Sequence, residues 1–266
     1  MKTILCPTDF SENAQGAVRY AAKLASVNGA SLFLLHARHV PIVDAYAPAS
    51  TMTTMMDDAF QAAEKRMSNY AEEVAHDHQI RVESRVAFGL LSDMVEELES
   101  SQPVDLVVLG TRGAGNAVNE WLGTTASQIM QVSKAPTIVI PGNAEYQGLR
   151  RVGYATDFSS DSDMMIEQFA NMMKPFNAEV FVVHVSTSSD SSDELDRIIK
   201  HFENASDPVT IKGENIAEEL NAFIWDNSLN LLALKRHKRN WFDNLFHKSI
   251  TKEMIYHSNV PVLVFN

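Results

Sequence analysis

Cysteine is nearly absent from this chain, which has one, Cys6, in 266 residues. A single cysteine excludes an internal disulfide and a cysteine-rich metal site. No apolar run approaches the ~20 residues that a membrane-spanning helix requires, and the opening MKTILCPTDF reaches Asp9 too soon for a signal peptide. We therefore expect a cytoplasmic protein in which Cys6 is a small buried hydrophobic residue.

Basic residues are also scarce. Residues 1–142 hold 10 Lys and Arg against 16 Asp and Glu, and residues 143–266 hold 12 against 18, so each part carries −6. The one basic cluster, residues 235–239, is short and typical of a solvated loop. The histidines His76 and His78 have no third ligand nearby in the sequence. We therefore expect no nucleic acid or membrane partner and no metal site built by the protein alone.

The composition is that of a globular protein, with 45% hydrophobic residues, eleven glycines and nine prolines. In the first half, short apolar runs alternate with helical spacing. The predicted strands are 2–7, 31–37, 81–88, 104–109 and 136–140, and the predicted helices are 13–26, 58–76, 92–100 and a last one ending at 134. Residues 38–57, which contain two prolines and three methionines, are predicted to be irregular. Strands alternating with helices predict a parallel sheet with right-handed crossovers.

The same order then repeats. Residues 151–159 (RVGYATDFS) repeat residues 3–11 (TILCPTDFS), and residues 179–185 (EVFVVHV) repeat residues 31–37 (SLFLLHA), including the histidine. Residues 230–234 and 260–265 repeat the fourth and fifth strands, while residues 186–193 are predicted to form a flexible loop. The predicted architecture is α/β: two tandem Rossmann-like domains, 1–142 and 150–266, joined by the linker 143–149. Each is an open parallel five-stranded sheet with helices on both faces.

A glycine motif follows the predicted strand 104–109: Gly110-x2-Gly113-x9-Gly123-Thr124. Its spacing matches neither GxxxxGK[ST] nor GxGxxG. Glycines let the backbone approach a phosphate, while N–H groups at a helix start and threonine hydroxyls donate to it. The alternative is a tight strand-to-helix turn with nothing bound.

Together with the PTDFS opening, the LLHA strand and the K-x-P corner at Lys134 and Pro136, this motif resembles the universal stress protein family. Two copies in one chain look like its tandem subclass. The resemblance implies an adenine nucleotide (ATP, ADP or AMP), with Mg²⁺ accompanying its phosphates, at the carboxyl ends of the strands.

The resemblance also implies which residues bind the nucleotide. Contacts to the base and ribose fall on Pro7, Thr8, Asp9 and Ala37. Contacts to the phosphates fall on Gly110, Gly113, Gly123, Thr124 and Thr125, with Arg112 placed inside the loop to pair with phosphate. The alternative for Asp9 is a plain N-cap of the helix that begins at Asn13.

The second repeat departs from this pattern. Lys235 stands opposite Gly110, Lys238 opposite Gly113, and Lys248-Ser249 opposite Gly123-Thr124. Ala155 replaces Pro7, while Thr156 and Asp157 persist. We therefore expect one nucleotide per chain, in the first domain. The alternative is that these lysines attract some other anion by charge.

Two classes of function fit the sequence. The first is a nucleotide-binding stress-response protein in which the nucleotide is a ligand or switch. The second is a partner-binding or structural scaffold that requires no nucleotide, the protein partner being unknown. In either case we expect residues 137–140 and 262–265 to pair antiparallel, giving an intramolecular pseudodimer that can also form a homodimer. No enzyme motif and no general base stand out, so at most slow ATP hydrolysis is expected.

Overall fold

The computed structural model describes residues 1–38, 49–111, 124–142, 144–158, 162–186, 192–235 and 250–265. Contacts between residues divide the chain into two compact units, Met1–Ala135 and Pro136–Asn266. Within the described ranges, no helix is both long and apolar enough to cross a membrane.

The first unit is a parallel sheet with the strand order β3-β2-β1-β4. Helix α1 packs against α2, and α3 packs against α4. The elements are β1 (Thr3–Pro7), α1 (Glu12–Asn28), β2 (Ser31–Arg38), α2 (Ala49–His78), β3 (Val82–Phe88), α3 (Leu91–Ser101), β4 (Leu106–Gly110) and α4 (Thr124–Val132). The chain runs outward in one direction through β1, β2 and β3 and then returns to β4 beside β1. The strand order therefore reverses between β1 and β4, and open α/β sheets bind ligands at the carboxyl ends beside such a reversal.

The second unit repeats this order with β10-β9-β6-β7-β8, all parallel. Its elements are β5 (Thr137–Ile140), β6 (Arg151–Thr156), α5 (Asp163–Met173), a 3₁₀ turn (Lys174–Phe176), β7 (Glu179–Ser186), α6 (Ser192–Ile199), β8 (Val209–Lys212), α7 (Ile216–Asp226), β9 (Leu231–Lys235), α8 (Ile250–His257) and β10 (Val262–Phe265). The predicted tandem Rossmann-like architecture is confirmed.

Strands β5 and β10 pair antiparallel, as predicted from the sequence. Val139 is opposite Val262, and Thr137 is opposite Val264. Both strands are fully buried. Strand β5 belongs by its contacts to the second unit, although the repeat places it in the first domain. The domain limits drawn from the repeat therefore stay a prediction.

The prediction of an irregular stretch from 38 to 57 is wrong in its second part. Helix α2 begins at Ala49, nine residues before the predicted start, and is 30 residues long. Residues 49–57 contain no proline, and the alanine and methionines among them favour a helix. Residues 39–48 lie outside the described residues. The predicted flexible loop 186–193 is also shortened, because α6 already begins at Ser192.

Candidate functional site

The chain leaves β1 through a tight turn made of Thr8, Asp9 and Phe10. The Thr8 hydroxyl accepts a hydrogen bond from the Phe10 N–H at 3.1 Å, and the Asp9 carboxylate accepts one from the Ser11 N–H at 2.9 Å. Phe10 has φ +63°, a conformation that costs a non-glycine residue about 1 kcal/mol or more. The helix N-cap is Ser11, whose hydroxyl accepts from the Ala14 N–H. The alternative that Asp9 is the N-cap of α1 is therefore wrong. Asp9 lies exposed in the turn that precedes the helix.

A buried histidine holds this turn from the neighbouring strand. His36 is 8% exposed, and its Nδ1 lies 2.7 Å from the Thr8 carbonyl oxygen. Because a carbonyl can only accept, Nδ1 carries the proton. Burial lowers the pKa of His36 below its ordinary value, and the positive charges of Arg38 and Arg66 add to this effect. At neutral pH the imidazole is therefore uncharged and donates to the turn.

An arginine on α2 completes the cluster around the turn. The Arg66 guanidinium carbon lies 4.0 Å from the centre of the Phe10 ring, and the ring contacts His36 edge-on with a centroid separation of 4.8 Å. Tyr70, one turn further along α2, also contacts the Phe10 ring edge-on, with a centroid separation of 5.8 Å. Sequence reasoning did not identify Phe10, His36 or Arg66 as site residues, because only the fold brings α2 to this turn.

Ala37 presents its backbone to the space beyond β1. The Ser31 N–H donates to the Lys2 carbonyl oxygen, and the Leu35 carbonyl oxygen accepts from the Thr8 N–H. The odd-numbered residues of β2 therefore point their backbone N–H and C=O groups toward β1. Strand β1 ends at Pro7, opposite Leu35, whereas β2 continues to Arg38. The N–H and C=O of Ala37 therefore face the crevice at the carboxyl ends of the strands.

The predicted phosphate contacts lie partly outside the described residues. Gly110 ends β4 beside the reversal of strand order, and α4 begins at Thr124 with Thr125 exposed in its first turn. Residues 112–123 are not described, so Arg112, Gly113 and Gly123 cannot be placed. Pro7 is buried at the end of β1. The described residues thus bring Pro7, Thr8, Asp9, Ala37 and Gly110 to one edge of the sheet.

The second unit repeats the turn. His184 Nδ1 lies 2.8 Å from the Thr156 carbonyl oxygen, the Thr156 hydroxyl accepts from the Phe158 N–H at 3.0 Å, and Phe158 has φ +62°. The Phe158 ring stacks on His184 with a centroid separation of 4.1 Å. The turn and the histidine that holds it are therefore built in both units.

Two structural features distinguish the second unit from the first. Strand register aligns Ile4 with Leu106 in one unit and Val152 with Leu231 in the other, which places Lys235 at the position of Gly110. In addition, the β6–β7 ladder extends to the pair Thr156 and His184, one residue beyond its counterpart. In a parallel ladder, that last pair implies that the N–H of Val185, the equivalent of Ala37, donates to the Thr156 carbonyl oxygen.

Comparison with known proteins identifies the family. The family model described as "Universal stress protein family" matches residues 1–141. A universal stress protein of Synechocystis sp. is 22% identical over 290 residues, covering 100% of both chains. A universal stress protein of Mycolicibacterium smegmatis is 26% identical over 144 residues, which are 53% of this chain and 48% of that relative, so the matched region spans about half of that relative's length.

A solved structure agrees in fold along the whole chain. The universal stress protein from Archaeoglobus fulgidus has a TM-score of 0.79 and 19% identity, covering 99% of this chain and 98% of that one. The family model covers more than half of the chain, and the turn, the strand order and the repeat are all present. The chain therefore belongs to the universal stress protein family.

Proposed function

We propose that this protein binds an adenine nucleotide, ATP, ADP or AMP, in its first unit, and that the nucleotide acts as a ligand or switch in a response to stress. The observation that carries the proposal is the pairing of two features at the reversal of strand order. The N–H and C=O of Ala37 face the crevice, and the exposed carboxylate of Asp9 lies at the end of the adjacent strand.

The chemistry of each part suits a nucleotide. The N–H and the C=O of a single residue offer a hydrogen-bond donor and an acceptor side by side, which matches the edge of a purine. The Asp9 carboxylate accepts hydrogen bonds, which suits the two ribose hydroxyls. Gly110 and the start of α4 lie on the other side of β1, where helix N–H groups favour an anion. Base, ribose and phosphates would thus follow the strand ends in the order β2, β1, β4.

A magnesium ion would be held mainly by the phosphates. Among the described residues, no group of three or more His, Cys, Asp and Glu side chains could hold a metal ion. This arrangement suits Mg²⁺, which keeps several waters and is bound through substrate phosphates together with one or two carboxylates.

The second unit supports the asymmetry expected from the sequence. Lys235 carries a Cβ and a long side chain where Gly110 leaves the backbone open, and the β6–β7 ladder engages Val185 where Ala37 is exposed to the crevice. We therefore propose one ATP per chain, in the first unit.

The experiment is to purify the protein without added nucleotide, to identify any bound nucleotide by mass spectrometry, and to titrate ATP, ADP and AMP into the stripped protein by calorimetry. We expect saturable binding at one site per chain. Absence of bound nucleotide together with no heat of binding for all three would favour the alternative, a partner-binding or structural scaffold.

A further inference from the structure

We propose that the outer edge of strand β3 joins two copies of this chain, with the two β3 strands antiparallel and Ser84 of one copy opposite Ser84 of the other. Three observations support this interface: backbone groups that point outward from the strand, the order of charges along it, and its contrast with the outer strand of the second unit, β8. The inference does not depend on nucleotide binding.

The outer edge of β3 carries backbone groups that its own sheet does not use. In the described part of the chain, β3 pairs only with β2. The Leu32 N–H donates to the Arg81 carbonyl oxygen. Because alternate residues of a parallel strand bond to opposite sides, the odd-numbered residues of β3 bond to β2 and the even-numbered residues face outward. The N–H and C=O groups that lack a hydrogen-bond partner among the described residues are therefore those of Val82, Ser84 and Val86.

The charges along β3 select one register for a second copy. Two identical strands related by a two-fold axis pair antiparallel. An axis at Glu83 or at Arg85 places that charge opposite its own copy, which is destabilising. An axis at Ser84 instead places Glu83 of each copy opposite Arg85 of the other, and Val82 opposite Val86. An axis nearer either end of the strand shortens the overlap.

The same register satisfies the outward backbone groups. The two Ser84 residues lie opposite each other and exchange two N–H···O=C bonds, and so does each pair of Val82 with Val86. The pairs of Glu83 with Arg85 fall between them, at the positions without hydrogen bonds, where cross-strand side chains are closest. Backbone pairing and charge pairing thus agree on Ser84 as the centre.

Both charged side chains are accessible at this edge. The Glu83 side chain is 45% exposed and that of Arg85 is 41% exposed. Glu83 pairs with Arg81 at 2.8 Å, and Arg85 pairs with Glu97 at 3.0 Å. Exposed ion pairs of this kind contribute little to stability. A carboxylate can also accept from two guanidinium groups, so the pairs within one chain do not prevent pairs between copies.

The outer strand of the second unit is built differently. Strand β8 has four residues, against seven in β3, and it follows Pro208 and ends at Lys212. A short strand, a proline and a lysine are features that keep an edge from pairing with another chain. Strand β3 contains neither proline nor lysine. The edge of β3 is therefore the one suited to a second copy.

The test is sedimentation equilibrium of the full chain over a range of protein concentrations at low ionic strength, where we expect a reversible dimer. Ser84→Pro removes the central outward N–H, which β2 does not use. A proline is tolerated at such an edge position, so the variant should keep its circular dichroism spectrum and lose the dimer. The matched control is Thr210→Pro, because the same alternation makes Thr210 face outward from β8. It should leave the dimer intact.

Charge reversal tests the register itself. Glu83→Arg and Arg85→Glu each place like charges opposite one another twice, so each variant alone should weaken the dimer about tenfold or more. In an equimolar mixture, one copy of each variant restores opposite charges at both pairs. The mixture should therefore dimerise about as tightly as the parent, which a general effect of net charge at another surface does not predict.

Four results would overturn the proposal. A parent chain that stays monomeric at every concentration would show that the β3 edge does not pair, and a dimer that survives Ser84→Pro would use another surface. Loss of the dimer in Thr210→Pro would show that β3 meets β8 of another copy. Failure of the mixed variants to recover would exclude the register centred on Ser84. All four concern assembly, so the proposed nucleotide site is tested separately by its own titrations.

Discussion

His36 and Thr8 are joined by a hydrogen bond of 2.7 Å between the imidazole Nδ1 and the backbone carbonyl, across two neighbouring strands. The bond fixes the residue that immediately precedes Asp9, at the point where the chain turns from β1 into α1. The same bond joins His184 and Thr156 at 2.8 Å in the second unit. A buried imidazole thus positions an exposed carboxylate.

Replacing His36 should loosen the turn. In His36→Ala, the loss of a buried side chain and of its hydrogen bond should lower the free energy of unfolding of the first unit by about 2 kcal/mol or more. Hydrogen exchange would measure this locally, since the Phe10 N–H that donates to Thr8 should exchange faster. The control is His76→Ala, because His76 is a solvent-exposed histidine on α2. Unchanged protection of Phe10 would contradict the positioning role.

Stability should fall on mild acidification. The pKa of His36 is lowered in the folded protein, mainly by burial, so the unfolded chain binds a proton more readily below about pH 6.5, the ordinary value. The free energy of unfolding should therefore decrease as the pH falls through 6.5 toward the folded pKa, and level off below it. Urea titrations of the parent and of His36→Gln at several pH values test this. The parent should show the steeper pH dependence between pH 6.5 and 5, and equal slopes would contradict the prediction.

Removing the Asp9 carboxylate should weaken nucleotide binding. Asp9→Ala leaves the ribose hydroxyls without their acceptor, so we expect the affinity for ATP to drop by about 1–3 kcal/mol. Calorimetric titration of the folded variant measures the loss, with Asp77→Ala, an exposed carboxylate at the end of α2, as the matched control. Equal affinities in Asp9→Ala and the parent would contradict a contact between Asp9 and the ribose. The role of the carboxylate would then be to accept the hydrogen bond from the Ser11 N–H.

The phosphate side can be tested by exchanging residues between the units. Gly110→Lys gives the first unit the residue of the second, and Gly123→Lys does the same in the following loop; both should abolish ATP binding, because a Cβ and a long side chain obstruct the backbone approach. Lys235→Gly or Lys248→Gly alone should not create a second ATP site. Calorimetric stoichiometry decides the point, with circular dichroism to confirm the fold. Two equivalent ATP molecules bound per parent chain would contradict the prediction that only the first unit binds ATP.

The order of elements was predictable from the sequence because it depends on local pattern. A strand buried on both faces is a short apolar run, and β2 (Ser31–Arg38) is one, observed within a residue of its prediction. The repeat itself is a property of the sequence, with TDFS identical in both copies. The antiparallel pairing of β5 with β10 also followed, since two apolar strands at sheet edges leave backbone groups to satisfy. The start of α2 was missed because the prolines and irregular pattern before residue 49 concealed it.

The working parts of the site were decided by tertiary structure. No local pattern joins His36 to Thr8, or Arg66 to Phe10, because these pairs are 28 and 56 residues apart and meet only after the strands pair and α2 packs. Whether the backbone N–H and C=O of Ala37 face the crevice depends on where β1 ends relative to β2, and the register between these two strands sets that position. Sequence by itself determined which residues carry donors, acceptors and flexible backbone. Folding decided which of them face the same crevice, since a hydrogen bond or a cation–aromatic contact depends on separations of a few ångströms that only long-range packing sets.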